Sequence, residues 1–293
     1  MNEKFEERFS RLNPQQQLAV TSIDGPVMVI AGPGSGKTEI LAARIAYILQ
    51  NTDTNPDQIL CLTYTEAGTV AMRQRLLQFI GPSAFSVAIH TFHSFGNEII
   101  QDHLDLFGKN NLQALSDLEQ IDTLNQIIQE FDINNPLFHA TEYSEINRLK
   151  SLFSVLKMEN WNPATVKNAI DEYLADLPNR EEFIYKKNCQ YGKQGDLKLA
   201  KIKEEEEKML KLKAGVDCFS RYQALLQERA RYDYQDMILW VLRAWQDNPD
   251  LLAVYQEKYQ YILVDEYQDT NGAQNEIVKL LASYWDQPNL FVV

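Results

Sequence analysis

Five short apolar runs lie along the chain, and longer stretches of mixed apolar and polar residues separate them. The runs are residues 27–30, 59–62, 87–89, 261–264 and 290–293. Each run is as long as a strand, and the stretches between them carry apolar residues at helical spacing. This alternation predicts an α/β fold with a mostly parallel sheet. The four consecutive apolar residues at 27–30 predict a central strand that is buried on both faces.

Residues 106–214 carry a different pattern. Apolar residues repeat at helical spacing through three segments, 118–131, 146–156 and 166–174, and no strand signal separates them. We therefore predict an all-helical subdomain inserted into the sheet domain, whose two parts would be residues 1–105 and 215–293.

The composition is typical of a soluble globular protein, because 45% of the 293 residues are hydrophobic and 24% are charged. The formal net charge of −13 argues against a protein that covers nucleic acid with its whole surface, so any such site must be local. One exposed loop of the insertion, with Lys186, Lys187 and Lys193, could contact a polyanion.

Cysteine usage and hydropathy indicate the compartment. Cys61, Cys189 and Cys218 are far apart and form no CxxC pair, which predicts neither a disulfide framework nor a zinc site. A reducing, cytoplasmic setting fits this pattern. No apolar run is long enough to cross a membrane, and the N-terminus lacks the apolar core of a signal peptide, so we expect no membrane contact.

The first apolar run leads into a glycine-rich turn and then into Lys37 and Thr38. The turn residues are Ala31, Gly32, Pro33, Gly34, Ser35 and Gly36. Glycines let successive backbone N–H groups converge on one anion, and a helix that starts near Gly36 directs its positive end to the same point. Lys37 would contact the β- and γ-phosphates of a nucleotide, and the Thr38 hydroxyl would hold Mg²⁺. A chance glycine turn is the alternative, and Ala31 stands where the strict spacing has glycine.

The fourth apolar run ends in Asp265 and Glu266. Ligands gather at the carboxyl ends of parallel strands, so this pair should face the phosphate loop. Asp265 would hold Mg²⁺, and Glu266 would orient and deprotonate the water that attacks the γ-phosphate. The interpretation requires the carboxylates to lie within about a dozen ångströms of the Lys37 ammonium.

Gln16 lies just upstream of the phosphate loop. Its amide can satisfy both the donor and the acceptor edge of adenine. Asn13 and Pro14 also predict an ordinary helix start at this point, so a capping role is the alternative.

Aromatic and hydroxyl side chains follow the second and third apolar runs. Aromatic rings can stack on bases and hydroxyl groups can contact phosphates, which suits the binding of single-stranded nucleic acid without regard to its sequence. The candidates are Thr63, Tyr64, Thr65, Thr91, Phe92 and His93. The alternative places Phe92 in the core and His93 in a hydrogen bond within the fold.

Gln16, AGPGSGKT, TYTEAGT, TFHS and DEYQDTN, in this order, resemble the N-terminal half of a superfamily 1 DNA helicase of the UvrD/Rep type. The resemblance extends over the whole chain. It implies a RecA-like P-loop NTPase domain interrupted by a helical subdomain, with ATP and Mg²⁺ as cofactors and single-stranded DNA as partner. It also implies that Gln16 reads adenine, that Arg75 lies near the nucleotide, and that the stretches around TYT and TFHS touch single-stranded DNA. The implied activity is ATP hydrolysis coupled to 3′–5′ translocation and unwinding.

Three residues depart from the family pattern. Glu66 and Ala67 stand where the family has Asn-Lys, and Glu39 stands where it often has arginine. The chain stops in a run that resembles a strand before its loop. We therefore expect a monomeric piece that lacks a second motor domain, binds Mg²⁺·ATP weakly and hydrolyses it slowly.

Other classes of function remain open at this point. One is an ATP-gated interaction module, and another is a small-molecule kinase built on a phosphate loop. The acidic pair and Tyr64 favour the helicase over the kinase. A helicase fused to a nuclease, in DNA repair or recombination, is a further possibility.

Overall fold

The computed structural model describes residues 3–32, 34–107, 112–138, 142–188 and 190–293, and it describes their side chains except those of residues 3, 4 and 142–144. The chain divides into two compact units. The first unit consists of Met1–Asn110 and Asp236–Val293, and the second consists of Asn111–Gln235.

Helices form most of the regular structure. In chain order they are α1 (Glu3–Phe9), α2 (Pro14–Thr21), α3 (Lys37–Asn51), α4 (Glu66–Ile80), α5 (Phe92–Asp102), α6 (Leu104–Phe107), α7 (Asp117–Gln129), α8 (Glu142–Met158), α9 (Pro163–Asp176), α10 (Leu199–Glu228), α11 (Tyr234–Asp247), α12 (Pro249–Lys258) and α13 (Gly272–Ala282). The strands are β1 (Val27–Met28), β2 (Ile59–Thr63), β3 (Ala88–Thr91), β4 (Gln113–Ala114), β5 (Arg231–Tyr232), β6 (Tyr261–Val264) and β7 (Leu290–Val292). Within the described ranges, no helix combines the length and the apolar character needed to cross a membrane.

The first unit is built on a five-stranded sheet with the order β1-β7-β6-β2-β3. All neighbouring strands run parallel, so the five carboxyl ends lie along one edge. The register pairs Cys61 with Leu263 and Leu263 with Phe291. β2 and β6 are buried along their whole lengths, which puts the middle of the sheet in the core. The predicted α/β fold with a parallel sheet is confirmed.

β1 is shorter and more exposed than the sequence pattern predicts. Val27 and Met28 pair with β7, and the Val29 N–H extends this pairing by donating to the Val292 carbonyl at 2.9 Å. Ile30 is 95% exposed. Among the residues that the structure describes, β1 is the last strand in the order, so the prediction of a central strand buried on both faces was wrong. A run of apolar residues indicates a strand, but it does not say how many neighbours that strand has.

α3 packs against this sheet through apolar residues such as Leu41, which is fully buried. Arg44 on the same helix is also buried, with 1% of its surface exposed. Its guanidinium donates to the Ala19 and Ser22 carbonyls at 2.7 and 2.6 Å and lies 4.4 Å from the centre of the Phe291 ring. Burial lowers the pKa of Arg44 to about 10. Arg44 therefore joins the end of α2, α3 and β7.

The second unit has a separate hydrophobic core, to which α7, α8 and α10 contribute. Leu124, Phe153 and Tyr222 lie in this core, and the rings of Phe153 and Tyr222 have their centres 4.8 Å apart. β4 and β5 pair in parallel near the two ends of the unit. The unit is therefore a helical domain closed by a very short sheet.

Two features of this unit differ from the predicted insertion. It ends at residue 235 and not at 214, because residue 214 lies inside α10, which continues without a break to Glu228. It also contains strand pairing, in β4 and β5 and in an antiparallel bridge between Ile184 and Leu197. Pairings of one or two residues are too short to produce an alternating pattern, so the sequence could not indicate them.

Candidate active site

The predicted phosphate loop, of which the structure describes residues 31, 32 and 34–36, closes on itself between β1 and α3. Gly34 and Gly36 have φ values of 73° and 81°, in the left-handed region that glycine adopts without strain. The Ser35 N–H and hydroxyl both donate to the Gly32 carbonyl, at 3.3 and 2.6 Å. Gly36 is the N-cap of α3, so the unpaired N–H groups of the first helical turn are directed at the loop. Ala31 is half-buried, and Pro33 lies outside the described residues.

Gln16 connects α2 to the phosphate loop. Its amide Nε2 donates to the Ser35 carbonyl at 3.0 Å. Its Oε1 accepts from the Asn13 N–H at 2.9 Å, and the Asn13 side chain accepts from the Gln16 N–H, which forms a capping box at the start of α2. The capping role and a position beside the loop are therefore both observed. Each amide atom keeps one further hydrogen-bonding capacity, so the group can still meet an adenine edge.

Lys37 and Glu266 form an ion pair, with Lys37 Nζ 2.5 Å from Glu266 Oε2. The Gln268 side chain donates to the same oxygen at 2.6 Å. The hydrogen bond from Lys37, and the second one from Gln268, lower the pKa of Glu266, which keeps this carboxyl ionised at neutral pH. For Glu266, the distance to Lys37 that the sequence interpretation required is met with a wide margin.

Asp265 and Thr38 are the predicted Mg²⁺ ligands, and they lie directly after β6 and in the first turn of α3. The Asp265 carboxylate accepts a hydrogen bond from the Glu266 N–H at 3.1 Å. Burial raises the pKa of Asp265, and the charge of Glu266 raises it further, so a cation beside it would favour its ionised form. Among the described residues, no three or more His, Cys, Asp or Glu side chains come together in a group that could hold a metal ion. One or two protein oxygens plus phosphate oxygens are what Mg²⁺ commonly takes, so the donor set fits this ion.

Arg75 contacts the first turn of α3 through Glu39. Its Nη1 lies 2.8 Å from Glu39 Oε2, and Arg8 Nη1 lies 3.5 Å from the other carboxylate oxygen. A carboxylate in the first turn of a helix is also stabilised by the helix dipole. Glu39 thus holds two arginines near the predicted phosphate loop.

The predicted DNA-contacting residues differ in exposure. Tyr64 is 51% exposed, and Thr65 is exposed beside it. Thr63 and Thr91 are buried, and Phe92 is a core residue with 3% of its surface exposed. Phe92 therefore offers no ring face to a base in this structure, which matches the plainer alternative for that residue.

Hydrogen bonds occupy the threonine hydroxyls of this region. Thr91 donates to Glu66 Oε1 at 3.1 Å, and Thr65 accepts from the Gly68 N–H at 3.0 Å as the N-cap of α4. His93 is half-buried, and burial lowers its pKa, so its ring is neutral at pH 7. The exposed part of the predicted interface is therefore Tyr64 and its immediate neighbours.

Two residues of the site were not among the predicted ones. Gln268 hydrogen-bonds to Glu266, and its position within the DEYQDTN motif was a signal for it. Arg8 reaches Glu39 from α1, and no local pattern indicates that contact. Contacts between distant segments depend on the packing of the helices and leave no trace in a single sequence.

Comparison with known proteins decides the family. The profile of the UvrD/REP helicase N-terminal domain matches residues 12–293. The chain belongs to this family. The predicted resemblance to UvrD/Rep-type helicases is thereby confirmed.

Individual relatives of this family are much longer than the chain. The chain is similar to the ATP-dependent DNA helicase PcrA of Bacillus subtilis. The two are 31% identical over 294 residues, which cover 100% of this chain and 34% of PcrA. PcrA of Staphylococcus aureus strain Mu50 is 29% identical over 285 residues, which cover 97% of this chain and 33% of PcrA. A probable DNA helicase of Mycoplasma pneumoniae is 32% identical over 283 residues, 96% of this chain and 46% of that protein. The chain spans less than half the length of each of these relatives.

Proposed function

We propose that this chain is the nucleotide-binding motor unit of an ATP-driven helicase that moves along single-stranded DNA. The observation that carries the proposal is the contact between Lys37 and Glu266, next to Asp265 at the carboxyl edge of a parallel sheet. A phosphate-binding lysine and a carboxylate that can act as base, meeting at the end of a glycine-rich loop, are the groups that hydrolysis of a γ-phosphate requires.

The ion pair suggests how ATP would enter the site. A triphosphate carries more negative charge than one carboxylate, so it would replace Glu266 as the partner of Lys37. Glu266 would then be released toward the attacking water, orient it and accept its proton. Gln268, already bonded to the same carboxylate oxygen, would limit how far Glu266 moves. Mg²⁺, held by Thr38 and Asp265, would supply neutralisation of charge on the phosphate oxygens.

The other nucleotide contacts follow from the same loop. Backbone N–H groups of residues 31, 32 and 34–36 would surround the phosphates. Gln16 would keep its bond to Ser35 and use its remaining capacity on adenine. Arg75 would exchange Glu39 for the nucleotide, which makes its contribution conditional on that exchange.

DNA would contact the surface where β2 ends. Tyr64 would stack on a base, because its ring is exposed and stacking does not depend on sequence. Thr65 and His93 would contact the backbone, while Thr63, Thr91 and Phe92 would hold this surface in place from the buried side. We further propose 3′–5′ movement, a cytoplasmic location and cooperation with a second motor domain.

Nucleotide binding tests the first part of this proposal. The 293-residue chain should bind a fluorescent ATP analogue with Mg²⁺ weakly and hydrolyse ATP slowly. The reason is that arginines from the proposed second motor domain would be needed at the γ-phosphate, and such groups contribute about 10³–10⁵ in rate. Lys37→Ala should abolish binding, while Lys279→Ala, which removes an exposed lysine paired with Glu276, should not change it. Equal binding by Lys37→Ala and the unchanged chain would remove the basis of the proposal.

The coupling to DNA needs a longer protein that carries this chain together with a second motor domain. There, single-stranded DNA should stimulate ATP hydrolysis, and Glu266→Gln should abolish the stimulated rate. Hydrolysis that does not respond to DNA would contradict the helicase and point to an ATP-gated interaction module.

A further inference from the structure

The second unit carries a strongly basic segment in an otherwise acidic chain. Residues 185–203 contain six lysines and one aspartate, a net charge of +5, while the chain as a whole has a net charge of −13. Of the residues that the structure describes, 184–188 and 190–198 form an excursion whose two ends meet at the bridge between Ile184 and Leu197. We call these residues the basic hairpin.

Hydrogen bonds and packing give the basic hairpin a defined backbone. The Tyr185 N–H donates to the Asp196 carbonyl, and the Gly195 N–H donates to the Tyr185 carbonyl, both at 2.9 Å. Gly195 has a φ of 92°, which favours glycine. Gly192 lies against the Tyr185 ring so closely that a Cβ there would meet the ring at 2.6 Å. A preorganised loop loses little conformational entropy when it binds a partner.

The lysines of the hairpin differ in whether their charge is already paired. Lys186 lies 2.9 Å from Glu181, and Lys198 donates to the Glu182 carbonyl at 2.9 Å. Lys187 and Lys193 are both exposed, and neither has an ion-pair partner among the residues that the structure describes. Tyr191, between them in sequence, is 80% exposed. The hairpin therefore presents two uncompensated cations and an aromatic ring to solvent.

We propose that the basic hairpin binds the phosphodiester backbone of DNA. Lysines act as point charges toward phosphate, and neutralising phosphates gives affinity without reading sequence. An exposed aromatic ring in the same hairpin, that of Tyr191, suits a partner with bases or sugars. The inference rests on the proposed function in taking DNA as the polyanion. It goes beyond that function because the basic hairpin belongs to the second unit, whereas the proposed nucleotide site and Tyr64 belong to the first.

Salt dependence of DNA binding tests the hairpin. We would compare the unchanged chain with Lys187→Gln/Lys193→Gln by fluorescence anisotropy on a labelled single strand, a blunt duplex and a duplex with a 3′ tail. The slope of log affinity against log salt should fall in magnitude by about two, one for each lysine removed. The control, Lys208→Gln/Lys279→Gln, removes two lysines already paired with Glu204 and Glu276, and its slope should stay unchanged. Circular dichroism and binding of the ATP analogue should be the same for all three proteins.

The change in salt dependence decides whether the basic hairpin contacts DNA. A reduced slope on the single strand or on the duplex supports the contact and says which form of DNA makes it. An unchanged slope on all three DNAs, or an equal reduction in the control, overturns it. Displacement of DNA by poly-glutamate at the same charge concentration would also overturn it, in favour of an acidic protein. If the unchanged chain binds no DNA at all, the proposed function fails first; if it binds and the hairpin variant matches it, only the hairpin contact fails.

Discussion

Glu266 has a backbone φ of 52°, a left-handed conformation that only Asn160 and Ala230 share among the described residues other than glycine. This conformation costs an L-residue about 1–2 kcal/mol. Such strain persists where the surrounding structure enforces it, and it is common at active sites. Here it occurs directly after β6, at the residue whose carboxylate meets Lys37. The backbone of Glu266 is thus part of what brings the two groups together.

The strain at Glu266 predicts an unusual order of stability. Glu266→Gly and Glu266→Ala both lose the carboxylate, but only glycine relieves the backbone. We expect the glycine variant to be more stable by roughly 0.5–1 kcal/mol, the relieved strain less the extra entropy of glycine in the unfolded chain. Urea unfolding followed by circular dichroism measures this difference. At Glu206, inside α10, alanine should instead be the more stable by about 1 kcal/mol. An alanine variant at position 266 as stable as the glycine variant would contradict the strain.

Residue type alone was enough to predict that Lys37 and Glu266 would lie close together, which the structure shows. A phosphate loop needs Lys37 and Thr38 after its glycines, and a strand-end acidic pair is recognisable at Asp265 and Glu266. Phe92 shows the limit, because an aromatic residue at a strand end is equally suited to a base and to a core. Only the packing around it, which leaves it buried, decides between the two.

Arg44 shows at the scale of elements how a charged residue can belong to the core. Arg44→Ala would leave the Ala19 and Ser22 carbonyls without their donor and open a cavity over Phe291. We expect it to lower the free energy of unfolding by about 3 kcal/mol, since both losses act at one buried site. Chemical denaturation measures the change, with the exposed Arg11→Ala as the control near zero. If Arg44→Ala lowered the free energy of unfolding by no more than Arg11→Ala does, the packing of α2, α3 and β7 would not depend on Arg44.

Glu119 links the start of α7 to β5. Its carboxylate accepts hydrogen bonds from the Ser116 N–H at 3.0 Å and from Arg231 Nε at 2.7 Å, and these lower its pKa from 4.5 to about 2. A lowered carboxyl pKa gives stability that is present above pH 4.5 and lost as the pH falls toward about 2.

Glu119→Gln should therefore be less stable than the unchanged chain at neutral pH, and the difference should shrink as the pH falls below 4.5. Thermal unfolding followed at a series of pH values measures it. Glu206→Gln, at an exposed position of α10, should show no such pH-dependent difference. If the difference in stability between the unchanged chain and Glu119→Gln grew as the pH fell, the proposed role of the ionised Glu119 carboxylate would be contradicted.

Helices and strands could be predicted from the sequence where the signal lies within the element itself and its flanking turns. Each of the five apolar runs became a strand within one or two residues of its predicted bounds, because run length and flanking turns are local signals. The number of neighbours of β1 is set by residues far away in sequence, and that part of the prediction was wrong. The end of the insertion was misplaced for a related reason, since α10 continues past residue 214 on one helical pattern and offers no local break.

At the scale of the whole molecule, each unit has its own hydrophobic core. Phe153→Ala removes a buried ring that packs against Tyr222 in the second unit. We expect it to destabilise that unit by about 3–5 kcal/mol and to leave the affinity for the ATP analogue unchanged at temperatures where the first unit stays folded. Thermal unfolding with and without the analogue separates the two effects. Loss of nucleotide binding in step with unfolding of the second unit would mean that the two cores are not independent.

β7 is the strand next to β1 in the part of the chain that the structure describes, with Val27 opposite Phe291 and Met28 opposite Val292. The segment that leads into the phosphate loop is therefore held in the sheet by residues at the other end of the sequence. A shortened version designed to stop before residue 290 would keep every group proposed to touch ATP and would still release the support of the loop. Expression boundaries for this unit should therefore be drawn beyond β7.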